Sequence, residues 1–295
     1  MLDVKRSAHH KRERQYKDTI LNALPPLTEL LPFVAALLVA GGVAGVLAGL
    51  FGIGGGAVLV PVFYQMLGVL EIDEAIRMHL SVGTSLAIIV PTSLRSFMGH
   101  KAKNAVDMDF LKSSMFAVPF GVLLATFLVA GASSGMLRLI FAICSLVIAM
   151  RLLFGKDDWK LASDIPRGIG MYVAGSVIGF FSTFMGIGGG VFNNTFMTLF
   201  GRPIHQAVAT SSGVGVLISI PGMIGYIWAG WGVTNLPPFS IGFVNVLMVL
   251  IIIPVTLMVA PIGVKLAHAM SKKKLEIGFG IFLILVAARF FASLV

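Results

Sequence analysis

Charge is what this sequence has least of. Only 12% of its 295 residues are Asp, Glu, Lys or Arg, where a soluble domain carries roughly a quarter. A chain so poor in charge cannot cover a water-facing surface, which excludes an ordinary soluble protein. Acidic residues are the rarer sign, 13 against 22 Lys and Arg. The resulting formal charge of +9 does not call for nucleic acid, because basic residues beside apolar runs answer to anionic lipid and the positive-inside bias. Cysteine occurs once, as Cys144, so no intramolecular disulfide can form. Its place in an apolar run reads as a small buried hydrophobe. No metal-ligand spacing joins the six histidines, two of which, His9 and His10, fall in a polar head. No metal and no cofactor are expected.

What the chain has instead is apolar length and glycine. Hydrophobic residues make up 57% of it, and 34 residues are Gly. Its charges fall between long apolar stretches, the pattern of loops joining membrane spans. The expected fold class is therefore all-α, a polytopic transmembrane protein of about eight spans. Residues 1–29 form a basic head with Lys5, Arg6, Lys11, Arg12, Arg14 and Lys17. It is expected to be cytoplasmic or interfacial, and no cleavable signal pattern precedes the first long span. From Leu30 to Leu70 there are 41 residues without a charge. Wholly helical, that run would reach about 60 Å, twice the hydrocarbon thickness of about 30 Å. It must be interrupted, and Gly52, Gly54, Gly55 and Gly56 supply the interruption. A second charge-free run, Gly168 to Gly201, is broken by Gly186, Gly188, Gly189 and Gly190. Further spans are expected near 79–99, 113–132, 136–154, 207–229, 239–263 and 275–294.

The two runs resemble each other. At an offset of 134, Gly41, Gly45 and the Gly52–Gly56 cluster fall on Gly175, Gly179 and the Gly186–Gly190 cluster. At an offset of 130, Ser81, Gly83 and Pro91 fall on Ser211, Gly213 and Pro221. The expected organisation is a first repeat over 30–155, a charged loop over 156–167 and a second repeat over 168–295. Paired, glycine-interrupted apolar segments in two repeats are the pointer to a transporter's binding site near the bilayer midplane. Parallel and inverted arrangements both remain open; the charge-free lengths favour the inverted one, with the glycine segments as broken helices or re-entrant hairpins.

GIGGG could be mistaken for a phosphate loop. That loop needs a Lys and a Ser/Thr after its glycines, and neither cluster has them. Consecutive glycines free the backbone from helical geometry, and a helix resuming after them presents N–H groups and a positive dipole end to an anion. A plain tight hairpin without a ligand is the competing reading. The paired GIGGG segments, with Ser81–Ser85 (S-V-G-T-S) and its partner Ser211–Gly215 (S-S-G-V-G), resemble the TauE/SafE sulfite-exporter family, also called the toluene-sulfonate uptake permeases. The resemblance covers residues 30–295. It implies a secondary transporter in a bacterial inner membrane, an exporter of sulfite, thiosulfate or an organosulfonate. The second half departs from G-T-S, with Val214 and Gly215 at the places of Thr84 and Ser85.

Polar residues inside the spans complete the expected site: Gly54, Gly55, Gly56, Thr84, Ser85, Arg95, Gly188, Gly189, Gly190, Asn193, Asn194, Ser211 and Ser212. Arg95 could hold an oxyanion bidentately, or snorkel to the headgroups beside His100 and Lys101. Thr84, Ser85, Thr92, Ser93, Thr210, Ser211 and Ser212 could line a path or bond their own helix. Asn193 and Asn194 could present amides to the anion or cap freed backbone. His79 and His205, each placed before a span, could carry a coupled proton. The expected partners are thus a small anion, lipid and a proton, with a homodimer allowed. An intramembrane serine protease using Ser212 and His205 is disfavoured, because seven residues separate them along one helix. A passive channel is the closer rival.

Overall fold

The computed structural model describes residues 27–51, 56–155, 161–269 and 271–294. Most of the basic head and the first five residues of the charged loop therefore lie outside the described residues, as do Gly52, Gly54 and Gly55. The described chain is all-α apart from one small hairpin. Its helices are α1 (Leu27–Phe51), α2 (Gly56–Val69), α3 (Glu74–Ala102), α4 (Met108–Ser114), α5 (Ala117–Gly131), α6 (Ser134–Phe154), α7 (Ile169–Met185), α8 (Gly190–Leu199), α9 (Ile204–Ala229), α10 (Val246–Ala269) and α11 (Lys272–Ala292).

Among the described residues, four helices are long and apolar enough to cross a bilayer alone: α3, α6, α9 and the first 18 residues of α10. The bent pair α4 and α5, turning by 40° at Met115–Phe116, raises the number to five. The glycine-interrupted segments fold as shorter apolar helices, among them α2 and α7. Two boundaries move for local reasons. Asp73 caps α3 by accepting from the Ala75 N–H at 2.9 Å, so the helix starts at Glu74 and carries His79 inside it. Residues 240–245 form the antiparallel strands β1 (Ser240–Ile241) and β2 (Val244–Asn245), so the expected span at 239–263 begins only at Val246.

The chief helix pairings join the N-terminal and C-terminal halves of the chain. α1 lies along α10, α5 along α7, α6 along α11, and α3 along α9. In the last pair Gly83 faces Tyr226, Leu86 faces Gly222, Ser93 faces Gly215 and Phe97 faces Gly213. One number falls as the other rises, so these two long helices run antiparallel. Each is tied by a threonine to the cap of the helix that follows the other. The Asp107 N–H donates to Thr210 Oγ1 at 2.9 Å, and the Asn245 N–H donates to Thr84 Oγ1 at 3.0 Å. Both carboxamide and carboxylate then cap their own helices, Asp107 from Phe110 N and Asn245 from Met248 N, each at 3.0 Å.

Glycine sets how closely these helices approach. A methyl built on Gly121 of α5 would fall on the Ser176 carbonyl of α7, and one on Gly179 of α7 would fall on the Val118 carbonyl of α5. Gly121→Ala is expected to lose about 1–3 kcal/mol, since backbone cannot rotate aside as a side chain would. Heat-induced unfolding in detergent checks this, with Gly131→Ala as the control, because Gly131 has nothing within 4 Å.

Candidate functional site

The second glycine cluster is built from two left-handed residues. Gly186 ends α7 at φ +62° and Gly189 precedes α8 at φ +70°. An L side chain would strain either position. The Gly186 N–H turns back to the carbonyls of Ser182 and Thr183, and the Ile187 N–H reaches the Ser182 carbonyl at 3.0 Å. This leaves the Gly186 carbonyl free of its helix, and Ser85 of α3 donates its hydroxyl to that oxygen at 2.8 Å.

The first cluster meets the second at this spot. Gly56, the buried first residue of α2, sits so close that a methyl on it would fall on the Gly186 carbonyl, 2.9 Å from the Ile187 Cα. Ile89 of α3 lies against both breaks. Its Cδ1 is 2.9 Å from a methyl built on Gly56, and its Cγ2 is 3.0 Å from one built on Gly188. From α9, Ile218 closes on Gly189, and Gly215 approaches Gly188. Both interrupted helices therefore restart beside one buried contact, next to the crossing of α3 and α9.

The remaining candidates fall into three groups. Asn193 and Asn194, the fourth and fifth residues of α8, join through α9. Asn193 is fully buried and donates Nδ2 to Ser211 Oγ at 2.7 Å, and Ser211 in turn donates to Asn194 Oδ1 at 2.6 Å. Asn193 Oδ1 has no hydrogen-bond partner among the described residues. Thr84 is buried but spends its oxygen on Asn245, as described above. Ser212 donates to the Ala209 carbonyl of its own helix at 2.5 Å, and His205 is exposed, so the two form no nucleophile–base pair.

Arg95 stands apart. It is exposed, while Ser93, two residues before it, is buried against Gly215. Two residues are about 200° around a helix, so the guanidinium leaves the side of α3 that faces the breaks. Arg95→Ala is expected to keep transport within about twofold of wild type, read as flux per reconstituted protein. His79, expected just before a span, lies inside α3, buried with its ring 4.7 Å from that of Phe243. Gly188 and Gly190 are buried at the junction, and Gly54 and Gly55 are outside the described residues.

Sequence reasoning missed Ile89, Ser182 and Ser219. The last two are fully buried serines whose hydroxyls have no partner among the described residues. The only available signals were spacing ones: Ser182 lies four residues before Gly186, and Ser219 falls on Ile89 at the offset of 130.

Comparison with known proteins decides the family. The profile described as "Sulfite exporter TauE/SafE" matches residues 37–290. The chain belongs to the TauE/SafE family. A "Probable membrane transporter protein" of Haemophilus influenzae is 31% identical over 262 residues, covering 89% of this chain and 99% of the relative. Another, from Methanocaldococcus jannaschii, is 28% identical over 250 residues, covering 84% of this chain and 92% of its own. A third, YunE of Bacillus subtilis, is 25% identical over 274 residues, with 86% and 95% covered. No solved structure matches. The chain is thus a multi-pass membrane transporter of the TauE/SafE family.

Proposed function

We propose that this TauE/SafE protein is a secondary transporter that exports a small sulfur-containing anion, such as sulfite, thiosulfate or an organosulfonate, across a bacterial inner membrane. The observation that carries this reading is the meeting of the two glycine breaks. Two helix starts at one buried place supply N–H donors and positive dipole ends without a nucleotide-binding loop. The glycines, Ser85, Asn193, Asn194 and Ser211 form the site, with Thr84 and Ser212 holding the helices that carry it. Close packing of Ile89 and Ile218 on the breaks favours a carrier over a passive channel, because a carrier must shut on its cargo. The family's printed description supports the sulfur anion and the outward direction. His79 is the better of the two expected proton carriers, being buried in a spanning helix where His205 is exposed.

The test is flux of radiolabelled sulfite, thiosulfate and sulfoacetate in proteoliposomes, with and without a pH gradient. Gradient-dependent flux of one of them in wild type and Arg95→Ala, reduced in Ser85→Ala, supports both substrate and site. Flux of none of the three sinks the substrate assignment.

A further inference from the structure

The junction of the breaks has donors to spare and little fixed charge. Ser182 and Ser219 are both fully buried, and neither hydroxyl has a partner among the described residues. A serine inside a helix ordinarily bonds a carbonyl one turn back, as Thr183 does with Gly179 at 2.7 Å. Ser182 Oγ instead lies 3.6 Å from a methyl built on Gly189, the residue that opens α8. Ser219 follows Gly215 by one turn and precedes Gly222 by three residues, on the side of α9 that packs on Ser93 and Leu86 of α3.

Buried basic side chains among the described residues are His79 and Arg138. Arg138 is committed elsewhere: it pairs with Glu74 at 2.5 Å and donates to the Ser293 carbonyl at 2.7 Å. His79 lies six residues before Ser85, about 9 Å along α3. Positive potential at the junction therefore comes from the starts of α2 and α8, each equivalent to roughly half a charge. Two halves balance one negative charge. A second would be buried without a partner, which is costly.

We infer that Ser182 and Ser219 complete an anion site at the junction of the two glycine breaks, and that this site takes a singly charged oxyanion, such as hydrogensulfite or a monosulfonate, in preference to a doubly charged one. The inference rests on the reading that the chain carries a small sulfur-containing anion, and it names the charge state of that cargo. The serine hydroxyls donate to the oxyanion while the helix starts balance its charge.

Methanesulfonate and methylphosphonate separate charge from shape. Both present a methyl group on a tetrahedral XO3 head, and at alkaline pH the phosphonate is doubly charged. A ligand that binds the folded state raises its unfolding temperature, so binding is read on the purified full chain without relying on transport. Methanesulfonate is expected to raise the midpoint at about tenfold lower concentration than methylphosphonate. Ser182→Ala and Ser219→Ala are expected to remove that stabilisation without lowering the ligand-free midpoint, because a hydroxyl with no partner has no bond to lose. Ser145→Ala is the control, since Ser145 is equally buried and unpartnered but sits on α6. Equal or stronger stabilisation by the phosphonate overturns the charge preference, and full stabilisation of both serine variants overturns their role. Sulfite flux without selective stabilisation overturns the inference and leaves the transport reading standing. Selective stabilisation without flux does the reverse.

Discussion

Gly56→Ala is expected to cut transport by about ten- to a hundredfold, as overpacking by 1–3 kcal/mol acts on the state in which the two breaks touch. The added methyl meets the Gly186 carbonyl and, at 2.9 Å, the Ile187 Cα and the Ile89 Cδ1. Ile89 can turn aside, but the other two atoms are backbone. The breaks must separate, and the hydrogen bond from Ser85 to the Gly186 carbonyl stretches with them. Flux per folded transporter is the readout, so that lower yield is not mistaken for lower rate. Gly99→Ala, on the exposed end of α3 with nothing within 4 Å, is expected to transport normally. A Gly56→Ala protein that carries its anion at the wild-type rate would show that the touching state has no place in the cycle. Gly186→Ala is the harsher version, since its φ of +62° adds backbone strain to contacts with Val60 and the Val82 Cα, and it is expected to fail in folding.

The membrane class was legible because charge content and apolar length are properties of composition, which tertiary packing does not rearrange. The glycine breaks were legible because a charge-free run longer than the bilayer must bend somewhere. What the sequence could not give was facing. Arg95 and Ser93 are two residues apart, and only the packing of α9 against α3 decides that the serine turns inward and the arginine outward. The segment at 239–245 counted as apolar span, yet Asn245 caps α10 and Gly242, at φ +53°, lets the chain reverse into a hairpin before it. The hydroxyls posed the same difficulty. Ser212 and Thr183 bond carbonyls of their own helices, whereas Ser182 and Ser219 bond nothing described. Residue type does not separate these cases, and the antiparallel crossing of α3 and α9 that places Ser219 near the breaks is a long-range property of the fold.

Ser85→Ala and Ser212→Ala should part company for that reason, although both serines are buried in the long helices α3 and α9. Ser85 donates to a carbonyl that the end of α7 has released, in a site sealed from water. Removing the hydroxyl leaves that oxygen buried and unpaired, at a cost of about 1–3 kcal/mol. Ser212 donates to Ala209, a carbonyl inside α9 that its own helix can serve. Its removal is expected to change stability by less than about 0.5 kcal/mol. Transport should follow the same order, with Ser85→Ala down about tenfold and Ser212→Ala close to wild type. The loss in Ser85→Ala comes from the junction itself, because the freed Gly186 carbonyl is the atom against which Gly56 packs. Unfolding midpoints and sulfite flux measured on the two variants side by side check both statements. Equal midpoints would mean that the Gly186 carbonyl finds another donor, and the junction would then owe its geometry to the glycines alone.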